Sequence, residues 1–279
     1  MCLLLQVLAV VRRLCYLGLS PLGPHECMAQ KYSMTGFKIL SLCLSALLWL
    51  GLAAPLHGKE ERGFLNRVFK DASGQEAKYV LFVPHDYRGD IPYPVILFLH
   101  GAGETGSDGQ RQAKVGLGPA IKKQEKTFGF ITIFPQSQRR TWIADSADGR
   151  RALDILTEVE KEYRVDPTRV YLTGLSMGGY GTWSIAQKHP ERWAAIVPVC
   201  GGGDPKQVEG IKDIPCWCFH GGADSIVPAK KSQKMIEALK GVGGHPKYTE
   251  YARVGHNSWD KAYATAELFP WLLSQHLKQ

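Results

Sequence analysis

The order of apolar and polar positions divides the chain into an N-terminal appendage and a long region of alternating elements. An uncharged run rich in Leu and Ala occupies 39–56, and Gly58-Lys59-Glu60-Glu61-Arg62 ends it. Beyond it, 64–69 and 78–83 read as strands joined by the turn Asp71-Ala72-Ser73-Gly74, an antiparallel start. From Pro94 strand and helix take turns: strand 94–99, helix 119–125, strand 128–134, helix 151–163, strand 169–173 and a helix from 180. Three more strands are expected over 193–199, 214–219 and 247–253. A helix over 230–240 separates the last two, and a helix over 263–277 closes the chain. Such alternation predicts a mostly parallel sheet covered on both faces, with its site outside the carboxyl ends of the strands.

With 279 residues and 44% apolar content, the chain is large enough for one substantial domain and a short appendage. Lys31 and Lys38 precede the 39–56 run and small residues lie at its far end. It reads as an export signal cut between about Ala53 and Gly58. An uncleaved anchor is the competing reading, because about 18 uncharged residues approach the length of a membrane span. A second apolar run before Gly23, interrupted by Arg12 and Arg13, is more than one export signal needs. The expected division is therefore 1–33 as an extension ahead of a true start at Met28 or Met34, 34–58 as a signal peptide, and 59–279 as the folded domain. The protein is expected to be secreted or periplasmic, with no stable membrane insertion after cleavage.

The formal charge of +8 falls to about +5 once the appendage's four basic residues and Glu26 are removed. That excess is spread along the chain, so nucleic acid is not an expected partner. Cys200, Cys216 and Cys218 remain in the domain, too few for a disulfide framework, although one bridge from Cys200 to a neighbouring strand stays open. Cys216 and Cys218 share one face of a strand, and no second Cys or His pair stands at ligand spacing, so no metal is expected. Neither a Walker-type loop nor a G-x-G-x-x-G turn is present, and no organic cofactor is expected.

Chemistry is declared at Gly174-Leu175-Ser176-Met177-Gly178, which follows a strand-like run and precedes a helix-forming one. Such a turn holds its serine in a strained backbone conformation, and side chains two positions before and after it would collide. A hydroxyl is a poor nucleophile near neutral pH and needs a base, which in turn needs an acid to fix its tautomer. Asp224 follows the 214–219 strand within His220-Gly221-Gly222-Ala223-Asp224 and is the expected acid. Asp204, in Cys200-Gly201-Gly202-Gly203-Asp204, is its rival. His256 follows the 247–253 strand and is the expected base, while His100 and His220 read as packing or hydrogen-bonding residues. The amides of Ala102, in the turn His100-Gly101-Ala102-Gly103-Glu104, and of Met177 are the expected oxyanion donors. Glu104 either contacts substrate or braces that turn. Trp142 either stacks on a sugar or aromatic acyl group or packs under its own loop.

These segments resemble the α/β-hydrolase superfamily. More closely, Leu99 to Glu104, Asp166 to Trp183, Phe219 to Asp224 and Gly255 to Trp259 are similar to secreted esterases related to the phospholipase/carboxylesterase and dienelactone-hydrolase groups. These include bacterial proteins labelled predicted peptidases of the prolyl-oligopeptidase type. The resemblance covers about 64–276. It implies an α/β fold of three layers, a mostly parallel sheet with helices on both faces and no large lid. The expected activity is carboxylic-ester hydrolysis through an acyl-enzyme on Ser176, Asp224 and His256, acting on small-molecule or polysaccharide-linked esters without a metal or cofactor. A peptidase and a non-catalytic envelope binding protein are the alternatives.

Overall fold

The computed structural model describes residues 61–277, so the expectations for 1–33 and 34–58 lie outside the described residues. Among those described, no helix is long and apolar enough to cross a membrane.

Strands β1 (Gly63–Lys70) and β2 (Glu76–Val83) pair antiparallel across the predicted turn, with Gly63 opposite Val83. The remaining strands are β3 (Tyr93–Leu99), β4 (Ile131–Pro135), β5 (Val165–Leu175), β6 (Ala195–Val199), β7 (Trp217–Gly221) and β8 (Lys247–Tyr251). They complete one sheet of eight strands in the order β1-β2-β4-β3-β5-β6-β7-β8. Every pairing from β4 to β8 is parallel, and β2 meets β4 antiparallel.

Strand alternation builds two cores. Tyr79, Leu81 and Val83 of β2 and Val95, Leu97 and Leu99 of β3 face one way, while Val80, Phe82, Ile96 and Phe98 face the other. Helices α2 (Ala147–Glu162), α3 (Met177–Lys188) and α4 (Lys230–Gly241) cover the first face through Ile155, Leu156, Val159, Trp183, Ile185, Met235 and Leu239. Helices α1 (Leu117–Lys123), α5 (Trp259–Ala262) and α6 (Leu268–Leu273) cover the second through Leu117, Ile121, Ala262, Leu268 and Leu272. Each fully buried Leu or Ile stabilises this arrangement by roughly 1.5–3 kcal/mol.

Three boundaries differ from expectation for physical reasons. Helix α2 begins four residues early because Ser146 Oγ accepts the Gly149 amide at 3.0 Å and caps it. Strand β4 begins late: Phe128 and Phe130 are apolar because they pack on Phe269, with ring centroids 5.0 and 5.9 Å away, and they do not extend the strand. The helix expected over 263–277 forms only as α6, Leu268–Leu273, and α5 ends ahead of that range at Ala262. Pro270 lies in the first turn of α6, where its missing N–H costs nothing; in a continuous helix its ring would clash with the carbonyl four residues earlier.

Candidate active site

Ser176 sits between β5 and α3 with φ 52° and ψ −115°, a region that L-residues rarely occupy. Its amide donates to the Val199 carbonyl at 3.0 Å, and its carbonyl accepts the Tyr180 amide at 3.0 Å, so the strain is held by β6 on one side and the first helical turn on the other. The flanking glycines are required by close approach. A Cβ on Gly174 would lie 2.5 Å from the Gly178 carbonyl oxygen, and one on Gly178 would lie 1.9 Å from that of Leu99.

Parallel pairing of β7 with β8 brings the next two residues to the same end of the sheet. The turn after β7 is tied to the chain after β8 by Gly222 N–H donating to Tyr251 O at 2.9 Å and Ala223 N–H to Val254 O at 3.0 Å. Asp224 then accepts the amides of Ile226 and Val227 on Oδ1, both at 2.9 Å. Its Oδ2 lies 2.7 Å from His256 Nδ1, and His256 Nε2 lies 2.9 Å from Ser176 Oγ. Burial acts to raise the Asp224 carboxyl, but the hydrogen bonds from His256, Val227 and Ile226 outweigh it and hold it below the ordinary carboxylate range. Ionised Asp224 therefore accepts Nδ1–H, which leaves the Nε2 lone pair directed at the serine hydroxyl. The Asp224 side chain is fully buried and His256 is partly open to solvent.

The turn after β3 lies against the serine: a Cβ on Gly101 would sit 2.8 Å from Leu175 Cδ1 and 3.7 Å from Ser176 Cβ. Ala102 and Met177 are each the first residue of a helical turn, where the amide has no partner in the preceding turn. A buried scaffold holds this loop, and the sequence reading offers only His100 and Trp142 of it as packing residues. His100 Nε2 accepts the Ser137 amide at 2.9 Å, and Trp142 Nε1 donates to His100 O at 2.9 Å. Ser137 Oγ donates to Asp148 at 2.7 Å, and Asp148 pairs with Arg151 at 2.9 Å. Gln136 donates to Glu104 O at 2.9 Å and accepts the Gly109 amide at 2.7 Å. Scattered over 136–151, these residues carry no local motif.

Other expectations fare differently. Trp142 is 2% exposed, with its ring edge-on to His100, so it packs under the loop and has no open face for a substrate. Glu104 turns its carboxylate onto Gly101, with Oε2 3.1 Å from where a Cβ would stand, and burial raises its carboxyl above the ordinary range. Asp204 is exposed and caps its own turn by accepting the Lys206 amide at 3.0 Å. His220 is buried, with Nε2 2.8 Å from Val227 O and Nδ1 2.7 Å from Ser232 Oγ, and so braces the loop that carries Asp224. Cys200, Cys216 and Cys218 are free thiols, so the bridge left open for Cys200 is absent among the described residues. Cys200 lies beside Asp224 and His256, an adjacency the sequence did not reveal.

Fold and site together define an α/β-hydrolase: a doubly covered, mostly parallel sheet whose strand ends gather a strained serine, a histidine and a buried carboxylate. Within that class, residues 76–264 match the dienelactone hydrolase family, and the chain belongs to it. It is 26% identical over 229 residues to the protein named Probable feruloyl esterase C of Aspergillus niger, covering 79% of this chain and 83% of that one. It is also 28% identical over 147 residues to a bifunctional acetylxylan esterase/xylanase of Neocallimastix patriciarum, covering 52% of this chain and 21% of that protein. The crystal structure of a thermostable esterase superposes with a TM-score of 0.71 at 36% identity; the match covers 76% of this chain and 63% of that one. The chain is thus a hydrolytic enzyme, in a family setting of esterases.

Proposed function

We propose that the protein is a secreted serine esterase that removes acyl groups from carboxylic esters, including those borne on plant polysaccharide. The observation that carries this reading is the unbroken relay from Asp224 through His256 to Ser176, at 2.7 and 2.9 Å. Ser176 Oγ attacks the ester carbonyl while His256 Nε2 takes its proton. Asp224 keeps the imidazole in the required tautomer and stabilises the imidazolium that forms. The Ala102 and Met177 amides donate to the developing oxyanion. His256 returns the proton to the departing alcohol, and water repeats the sequence on the acyl-enzyme.

The polysaccharide-linked substrate is supported by the feruloyl and acetylxylan esterase relatives. Secretion is supported by the uncharged run over 39–56 ahead of the domain at 59–279. With Trp142 buried, the aromatic side chain offered to an acyl group is Tyr180, which is 37% exposed one turn after Ser176. Glu104 braces the oxyanion turn. The test is turnover of p-nitrophenyl acetate, methyl ferulate and a p-nitroanilide peptide by the full chain and by Ser176→Ala. Ester turnover lost in the variant is the expected result. Amide turnover without ester turnover would replace the esterase reading with a peptidase one.

A further inference from the structure

Cys200 is a nucleophilic side chain beside the triad that the proposed hydrolysis does not use. It follows β6 with φ 41°, its amide donating to Phe219 O at 2.8 Å, and it is fully buried. One ligating atom from each of Cys200, Asp224 and His256 lies within 4.8 Å of the others. The Ser176 amide and the Ser258 hydroxyl border the thiol. Ser258 Oγ is itself fully buried, and the Cys200 thiol is its hydrogen-bonding neighbour. A thiol is a weak hydrogen-bond partner, so this buried hydroxyl keeps an oxygen lone pair for a ligand.

The donor set narrows what that ligand is. Thiolate sulfur, imidazole nitrogen and carboxylate oxygen suit a borderline-soft divalent cation far better than magnesium or calcium. One thiolate and one carboxylate neutralise its two charges, which burial requires. Zinc bonds of about 2.0–2.3 Å in tetrahedral geometry put ligand atoms roughly 3.3–3.6 Å apart, so the wider spacings must close, and with Nδ1 as ligand the 2.7 Å contact to Asp224 must open, by side-chain shifts of about 1 Å. His256, the partly open member, provides the way in.

We propose that Cys200, Asp224 and His256 form an inhibitory site for zinc-like divalent cations, with Ser258 Oγ at the fourth position. On binding, the thiol releases one proton to solvent and its sulfur bonds to the metal. If His256 binds through Nε2, the lone pair that serves Ser176 goes to the metal. If it binds through Nδ1, the ring proton moves to Nε2 with the same loss. Inhibition therefore rests on His256 being the base of the proposed reaction, whereas metal binding does not.

The experiment uses the full chain with Co2+ and Zn2+. Expected are a thiolate-to-cobalt charge-transfer band in the near ultraviolet and one zinc retained per chain on dialysis. Ester turnover should fall about tenfold or more in excess zinc, recover with EDTA and be unaffected by Mg2+. In Cys200→Ala the band disappears and the ratio of turnover with and without zinc approaches one. Should that variant not fold, Ser258→Ala substitutes, with zinc retention weakened several-fold. A wild type without the band, or a band and inhibition that persist in Cys200→Ala, overturns the proposal. If the protein hydrolyses no ester, the band and the dialysis still decide whether the metal binds.

Discussion

His100 Nδ1 lies 2.6 Å from the carbonyl oxygen of Gly101. Because Nε2 accepts the Ser137 amide, Nδ1 carries the ring proton and donates it to that oxygen. In a trans peptide the C=O and N–H point in opposite directions, so anchoring Gly101 O turns the Ala102 N–H away from His100. The buried imidazole thereby fixes the peptide plane that the proposed oxyanion donor needs. His100→Ala is expected to lower kcat by about 10–100-fold with little change in KM, since an oxyanion donor acts in the transition state. Steady-state kinetics, with binding of a boronic acid analogue measured alongside, checks this; a rise in KM alone contradicts it.

Burial pushes the His100 imidazole down from 6.5 to about 4, the hydrogen bond to Gly101 offsetting only part of that. The unfolded chain therefore binds a proton between these values that the folded chain refuses, so stability rises with pH. The contribution is complete above about 6.5 and lost as pH falls through about 4, and its full size is about 3 kcal/mol. Urea unfolding across pH 4–6.5 should show this slope in the wild type and a flatter one in His100→Asn.

Asp224→Asn keeps the shape of the acid but presents an amide to His256 Nδ1. An amide N–H there favours the tautomer with its proton on Nε2, which cannot accept from Ser176. Ester turnover is expected to fall about 10⁴-fold with folding intact. Asp204→Asn should leave the rate within twofold, since Asp204 caps an exposed turn.

Gly178→Ala tests the elbow. A methyl 1.9 Å from the Leu99 carbonyl oxygen meets backbone on both sides and has no flexible neighbour to displace. A loss of about 3 kcal/mol or more is expected in urea unfolding. Gly103→Ala is the control, because a Cβ there meets nothing within 4 Å.

Tyr180→Ala should reduce kcat/KM on methyl ferulate about tenfold, corresponding to about 1.4 kcal/mol of lost ring contact, and leave p-nitrophenyl acetate nearly unchanged. Equal losses on both esters would remove Tyr180 from the acyl site.

Much of this protein is determined by sequence alone, where function depends on neighbours along the chain. The all-apolar runs of β3 and β6 announce strands buried on both faces. The Gly-x-Ser-x-Gly turn announces its own geometry, because a Cβ on Gly174 would meet the Gly178 carbonyl within the same five residues, whereas the clash at Gly178 comes from Leu99 of β3. Asp224 and His256 are legible from their places after strands, since parallel pairing carries every strand end to one side. Tertiary structure decided what depends on residues far apart in sequence. Trp142 reads either as a substrate-stacking aromatic or as one packed under its loop, and packing decides for the second by putting its indole on the His100 carbonyl, 42 positions away. The proline in the last segment delays to Leu268 the start of a helix that periodicity alone would begin at 263. Cys200 reads as a thiol open to a bridge with a neighbouring strand. Only the convergence of β6, β7 and the chain after β8 sets its thiol beside Asp224, His256 and Ser258, because a local pattern encodes a turn or a face but not which distant side chains share a buried volume.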